Sequence, residues 1–190
     1  MQDPEFQPPV NPLPPIVTLT FLAIAGIEAG LSLGEAGIIG GPGAVGWRLG
    51  LIRDYGFSGQ IFDWMVANWR WPLTEAIRAF TYPLIHLGFT HSLFALVLLL
   101  ALGKMVAEAM GPLTFAVIFV LAGAGGAALY ALLLDDPSWL VGAYPSVYGL
   151  IGGYSFVMWR QLAGTGAQQY RAFTLIAFLM GIQLFWGAFF

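Results

Sequence analysis

The sequence predicts an all-α polytopic membrane protein, and three observations carry that reading. Of 190 residues, 58% are hydrophobic and only 9% are charged, with a mean hydropathy of +0.78. A soluble domain carries about 25% charged residues, so a chain this apolar cannot cover its own surface in water. Apolar stretches recur at close to the ~20 residues that cross ~30 Å of hydrocarbon as a helix. The 25 glycines and 12 prolines fit the same class, because neighbouring helices can satisfy an interrupted backbone in a membrane. The net charge of -3 points away from nucleic acid, and the lack of cysteine excludes disulfides, thiolate nucleophiles and thiolate metal sites.

The elements follow in order. Residues 1–15 read MQDPEFQPPVNPLPP, acidic and proline-rich where a secretory signal would be basic, and are expected to form a short tail. Residues 16–190 form the membrane domain, with five spans visible. The first covers about Ile16 to Gly34, the second about Leu87 to Met105, and the third about Leu113 to Leu133. The fourth covers about Leu140 to Trp159, and the fifth about Ala172 to Phe190. A closed barrel would need many short alternating strands instead. Residues 35–85 form one long first loop. Trp64, Trp69 and Trp71 stand there near a helical spacing of Ile61, Phe62, Met65, Val66 and Trp69, which predicts short helices lying at the membrane interface. The later loops are short, so consecutive spans should be antiparallel neighbours.

Charge sets an expected orientation. Lys104, Arg160 and Arg171 place the loops after spans two and four in the cytoplasm, and with them the N-terminus. Arg48, Arg53, Arg70 and Arg78 in the long loop conflict with this, softened by Asp54, Asp63 and Glu75. The fifth span ends flush at Phe190, which suggests a continuing chain with a sixth helix, or a terminus buried in a partner.

Few residues could carry chemistry. His86 and His91 lie five apart, about 500° around a helix, so they should not share a face cleanly. A zinc site would need at least one or two more ligands and the nearby candidates are weak, so no metal is expected, and no cofactor. Glu28 sits about two-thirds along the first span. An ionisable group there should face the bundle or a partner, as an internal pair or as a functional charge. Small residues gather in spans three and four: Gly123 and Gly126 in one, and Gly149, Gly152 and Gly153 in the other. Small residues let backbones approach where lipid supplies no hydrophobic drive, so the fourth span should be central.

The segments HLGFTHSLFALVLLLALGKMVAE and VGAYPSVYGLIGGYSF together resemble the rhomboid intramembrane serine protease family. The order is similar too: a span, a long embedded loop, a His-bearing second helix, and a fourth helix opening on a glycine motif. The resemblance implies a rhomboid-like helical bundle. It also implies that His86 and His91 occupy the family's two active-site histidine positions. The Asn position is Ala95, the nucleophilic Ser position is Tyr144, and the Gly after it is Pro145. The family's base is a His in a sixth helix, and this sequence has no third His. Acyl transfer needs an activated hydroxyl, a base and oxyanion donors, so these departures predict a pseudoprotease. Ser146 stands about 200° around the helix from the nucleophile position. It should pack as a small residue or bond a carbonyl one turn back.

The expected function is a non-catalytic rhomboid-like protein that binds or scaffolds other transmembrane helices, or serves as an accessory subunit of a larger complex. Its partners would be membrane lipids and a transmembrane protein, in the bacterial inner membrane. An active intramembrane serine protease and a small transporter are the alternatives.

Overall fold

The computed structural model describes residues 12–134, 136–165 and 168–189. Most of the expected tail (residues 1–11), Asp135 and Phe190 lie outside the described residues.

The chain is an all-α multi-span bundle. Helix α1 runs Pro15–Glu35, with a proline in its first turn, where a missing N–H breaks no helical bond. Helix α6 runs Phe89–Met110, and α7 runs Pro112–Leu133. Gly111, at φ 93°, makes the reversal between them. These three are long and apolar enough to cross a membrane. Helix α8, Tyr144–Thr165, is as long but less apolar, and α9 covers Thr174–Phe189.

The fourth span was expected to open at about Leu140, but α8 opens four residues later. Trp139–Leu140 instead forms a short strand, β2, and Gly142 turns the chain at φ 98°. β2 pairs antiparallel with β1, Phe57–Ser58, in the register Phe57 to Leu140 and Ser58 to Trp139. The long first loop is thereby tied to the entry of α8.

That loop is built from short helices: α2 (Trp47–Tyr55), α3 (Gly59–Asn68), α4 (Leu73–Ala76) and α5 (Arg78–Thr81). The Ser58 hydroxyl caps α3 by accepting from the Ile61 N–H. The expected helical stripe stops short of Trp69. This residue is left-handed at φ 51° and lies outside the helix, and Val66 is exposed, so Ile61, Phe62 and Met65 form the inward face. Arg78 fixes the loop from within. It bonds Glu75 and the carbonyls of Arg53 and Gly56, and lies 5.4 Å over the Trp139 ring.

Helix α8 packs most extensively on α7, then on α6, and also touches α9. The core sits around it, with Leu99, Leu102, Val106, Phe115, Val147, Leu150 and Ile151 buried. Close approach explains the glycines. A Cβ at Gly149 would overlap that of Ala122, and one at Gly153 would meet Val106 and Ile118 side chains at 3.2 Å. Gly123 and Gly126 receive Ser146 and Pro145. Gly152 departs from expectation. It faces open space, since it stands about 100° around the helix from Gly153, on the outer side of Gly149.

Candidate functional site

The site lies where the first loop, the start of α6 and the start of α8 meet. His86 precedes α6, in the non-helical segment between the 3-10 turn Tyr82–Leu84 and Gly88. The helical angle expected between His86 and His91 therefore does not apply. The two rings meet edge to face, 5.3 Å apart. His86 is 1% exposed. Its Nε2 accepts from the Ala143 N–H at 3.2 Å, so the neutral ring carries its proton on Nδ1. That Nδ1 has no hydrogen-bond partner. Burial first, and the neighbouring His91 second, push the His86 pKa down to about 4. His91 accepts on Nδ1 from the Leu87 N–H at 3.2 Å.

Tyr144 closes over this pair. Its ring stacks on His91 at 5.0 Å and 22°, and its hydroxyl donates to the His91 carbonyl at 3.3 Å. Gly142 passes so close that a Cβ would lie 2.7 Å from His91 Cε1 and 3.5 Å from His86 Cδ2. Its N–H donates to the Tyr82 carbonyl. Only glycine fits both that approach and φ 98°. Pro145 lies in the first turn of α8, so the N–H it lacks would have had no helical partner; its ring seats on Gly126. Ala95, one turn beyond His91, is buried and offers only a methyl group.

Ser146 is fully buried on the α7 side. A Cβ on Gly123 would lie 2.7 Å from its Oγ, which has no hydrogen-bond partner. The expected bond to a carbonyl one turn back is absent, because Pro145 and Ser146 are pressed against the glycine face of α7. Ser146 packs as a small residue instead.

A second polar cluster joins the site from behind. Glu28 is 4% exposed and Arg48 is 5% exposed. Arg48 Nη1 and Nη2 each lie 2.9 Å from Glu28 oxygens; Nε and Nη2 reach Glu35 at 2.7 and 2.9 Å. Nη1 also donates to the His86 carbonyl at 2.7 Å. All five guanidinium donors are thus engaged. Both carboxylates hold the Arg48 pKa above its usual range. Glu28 also accepts from the Ser32 hydroxyl at 2.7 Å. Sequence reasoning singled out Glu28 but counted Arg48 among loop charges. A lone arginine between glycines in a long loop gave no sign of burial.

Beside Tyr144, a lateral groove of about 240 Å³ opens between α6, α8 and α9. Phe94, Leu98, Tyr144, Tyr148, Ile151 and Leu179 line it.

The fold is an all-α multi-span bundle in which two histidines at the head of one helix face a glycine turn at the head of another. The rhomboid domain matches residues 73–189, more than half of the chain, and the protein belongs to the rhomboid family. No curated protein matches it in sequence.

Proposed function

We propose that this protein is a non-catalytic rhomboid that binds or scaffolds other transmembrane helices, as a pseudoprotease or as an accessory subunit of a larger membrane complex. One observation carries the reading: the nucleophile position holds a phenol that stacks on His91 and bonds its backbone, not its imidazole. A hydroxyl nucleophile needs a base within hydrogen-bond reach, and the Tyr144 oxygen is turned to a carbonyl. The one other hydroxyl in that turn, Ser146 Oγ, lies against α7. The position that would supply an amide to an oxyanion holds Ala95; losing such a donor costs about 3 kcal/mol of transition-state stabilisation.

The rest of the reading follows from the membrane setting. Among the described residues five helices span the membrane, α1 and α6 to α9, with residues 1–15 as a tail and residues 35–85 as an interfacial loop. Exposed Trp64, Trp69, Trp71 and Leu73 suit that interface. Arg48 is held inside by its carboxylates, which removes one charge from the conflict with a cytoplasmic N-terminus. The bacterial inner membrane is the setting. The groove beside Tyr144 is apolar and opens sideways, which suits side chains projecting from a helix that packs across its mouth without entering it.

The test pairs labelling with crosslinking. A fluorophosphonate probe should leave the purified protein unlabelled. A photo-crosslinking residue at Leu98 should join a stoichiometric membrane partner that one at Val117, on the outer face of α7, does not. Labelling that Ser146→Ala abolishes would establish the active protease instead. Purification as a lone chain, with no Leu98 crosslink, would end the scaffold reading.

A further inference from the structure

A second groove lies on the other side of α6, between α6 and α1. Its volume is about 400 Å³, and its walls include Phe21, Glu28, Phe89, Ser92, Leu96 and Leu100. Both helices are of spanning length and apolarity, so the groove faces hydrocarbon. From Phe89 to Leu100 it runs about 16 Å along α6 at 1.5 Å per residue. Counting all the free space up to its walls and mouth, about 780 Å³, that length leaves a cross-section of about 50 Å², roughly 8 Å across at most, against the ~10–12 Å diameter of a helix. A hydrocarbon chain fits that width and a helix does not.

The groove also offers nothing to a polar group. Glu28 already accepts from Arg48 and Ser32, and the Ser92 hydroxyl donates to the Phe89 carbonyl. Whatever lies inside must be hydrocarbon, because a buried donor or acceptor would find no partner. Charge acts at the end of the groove near the start of α6. Phe21, Glu28 and Glu35 recur every seven residues, so the stripe of α1 that walls the groove continues to the helix end at Glu35. One arginine and two carboxylates sum to a charge of -1 there, with every Arg48 donor engaged. A bare phosphate would be repelled, whereas an ammonium would be attracted.

We infer that this groove holds one acyl chain of an ethanolamine-headed phospholipid, with the ammonium beside Glu35 and the chain running towards Phe21 and Leu100. The site is independent of the helix-binding groove beside Tyr144, on the opposite flank of α6.

The test uses the full chain in nanodiscs of equal parts dioleoyl phosphatidylethanolamine and dioleoyl phosphatidylglycerol, released into native mass spectrometry. Wild type should retain one ethanolamine lipid. Ala29→Trp, which fills the groove, should lower retention about tenfold, and Val117→Trp on the outer face of α7 should not. Glu35→Gln should cut the preference for ethanolamine over glycerol heads about fivefold while a lipid is still held. Equal retention by Ala29→Trp, or no headgroup preference in wild type, would overturn the inference. If Ala29→Trp fails to fold, an acyl-diazirine phosphatidylethanolamine on wild type decides: crosslinks at Leu93 and Val97 support the site. Crosslinks spread evenly over α6 and α7 refute it.

Discussion

Two polar clusters share His86, and they are built in opposite ways. Its carbonyl faces the Glu28–Arg48–Glu35 cluster, where five donors meet two carboxylates and a backbone oxygen. Its ring faces the site, where Nδ1 of His86 itself has no partner. The engaged cluster is what a buried charge needs in order to persist away from water. The site is left under-engaged, and the Tyr144 ring covers it. The difference separates a fully partnered charge cluster from a histidine pair in which His86 Nδ1 finds no partner.

The comparison breaks most visibly at the ion pair. Arg48→Ala leaves Glu28 charged and unpaired inside the bundle, a change that destabilises by about 3–5 kcal/mol. Thermal unfolding in mild detergent should show a large fall in Tm. Arg48→Lys should recover only part of it, since one ammonium cannot supply five donors to two carboxylates and a carbonyl. A Tm unchanged in Arg48→Ala would mean that water reaches the cluster and that it is not structural.

Acid should act next, through His86. Its pKa is lowered from 6.5 to about 4 on folding, so between those values the unfolded chain binds the extra proton. The stability from keeping His86 neutral is full above pH 6.5. It is lost as pH falls from 6.5 towards 4, by up to about 3 kcal/mol. His86→Gln retains an acceptor for the Ala143 N–H and does not titrate. The Tm of wild type minus that of His86→Gln should fall across this window, and a flat difference would show that His86 is hydrated.

Gly142→Ala tests the turn that brings the two regions together. The alanine must adopt φ 98° with its methyl 2.7 Å from a His91 ring carbon, a strain of about 1–3 kcal/mol. Its Tm should drop, whereas Gly152→Ala, facing open space, should stay within about 0.5 kcal/mol of wild type.

How much of this the sequence shows depends on the range of the interaction. Span positions follow from local apolarity, and α1 and α7 differ from the predicted segments by a residue or so at each end. The small-residue contact of Gly149 on Ala122 follows from the need for close approach in lipid, but the facing of Gly152 does not, because spacing alone does not say which edge of a wide glycine stripe meets the neighbour. The family motif placed Tyr144 against the histidines, yet treating His86 as helical hid the ring contact. Arg48 was not legible, since its partners lie 13 and 20 residues away and only the fold brings it to them.

The smallest effect belongs to Tyr144→Phe, and it separates two ways in which the tyrosine can close the site. The 3.3 Å hydroxyl bond to the His91 carbonyl is long, so removing it should cost about 0.5 kcal/mol, at the low end for a hydrogen bond. The ring remains stacked on His91, and the site stays shut. Tyr144→Ser removes the ring as well and should open space beside His91 without creating a protease, because the acceptor nitrogen of each imidazole is already taken, His91 Nδ1 by the Leu87 N–H and His86 Nε2 by the Ala143 N–H, and the Ala95 methyl donates nothing to an oxyanion. Fluorophosphonate should therefore leave both variants unlabelled, while Leu98 crosslinking to the partner weakens in Tyr144→Ser and persists in Tyr144→Phe. Equal crosslinking in both would show that the aromatic ring covers His91 without forming any of the surface a partner helix touches.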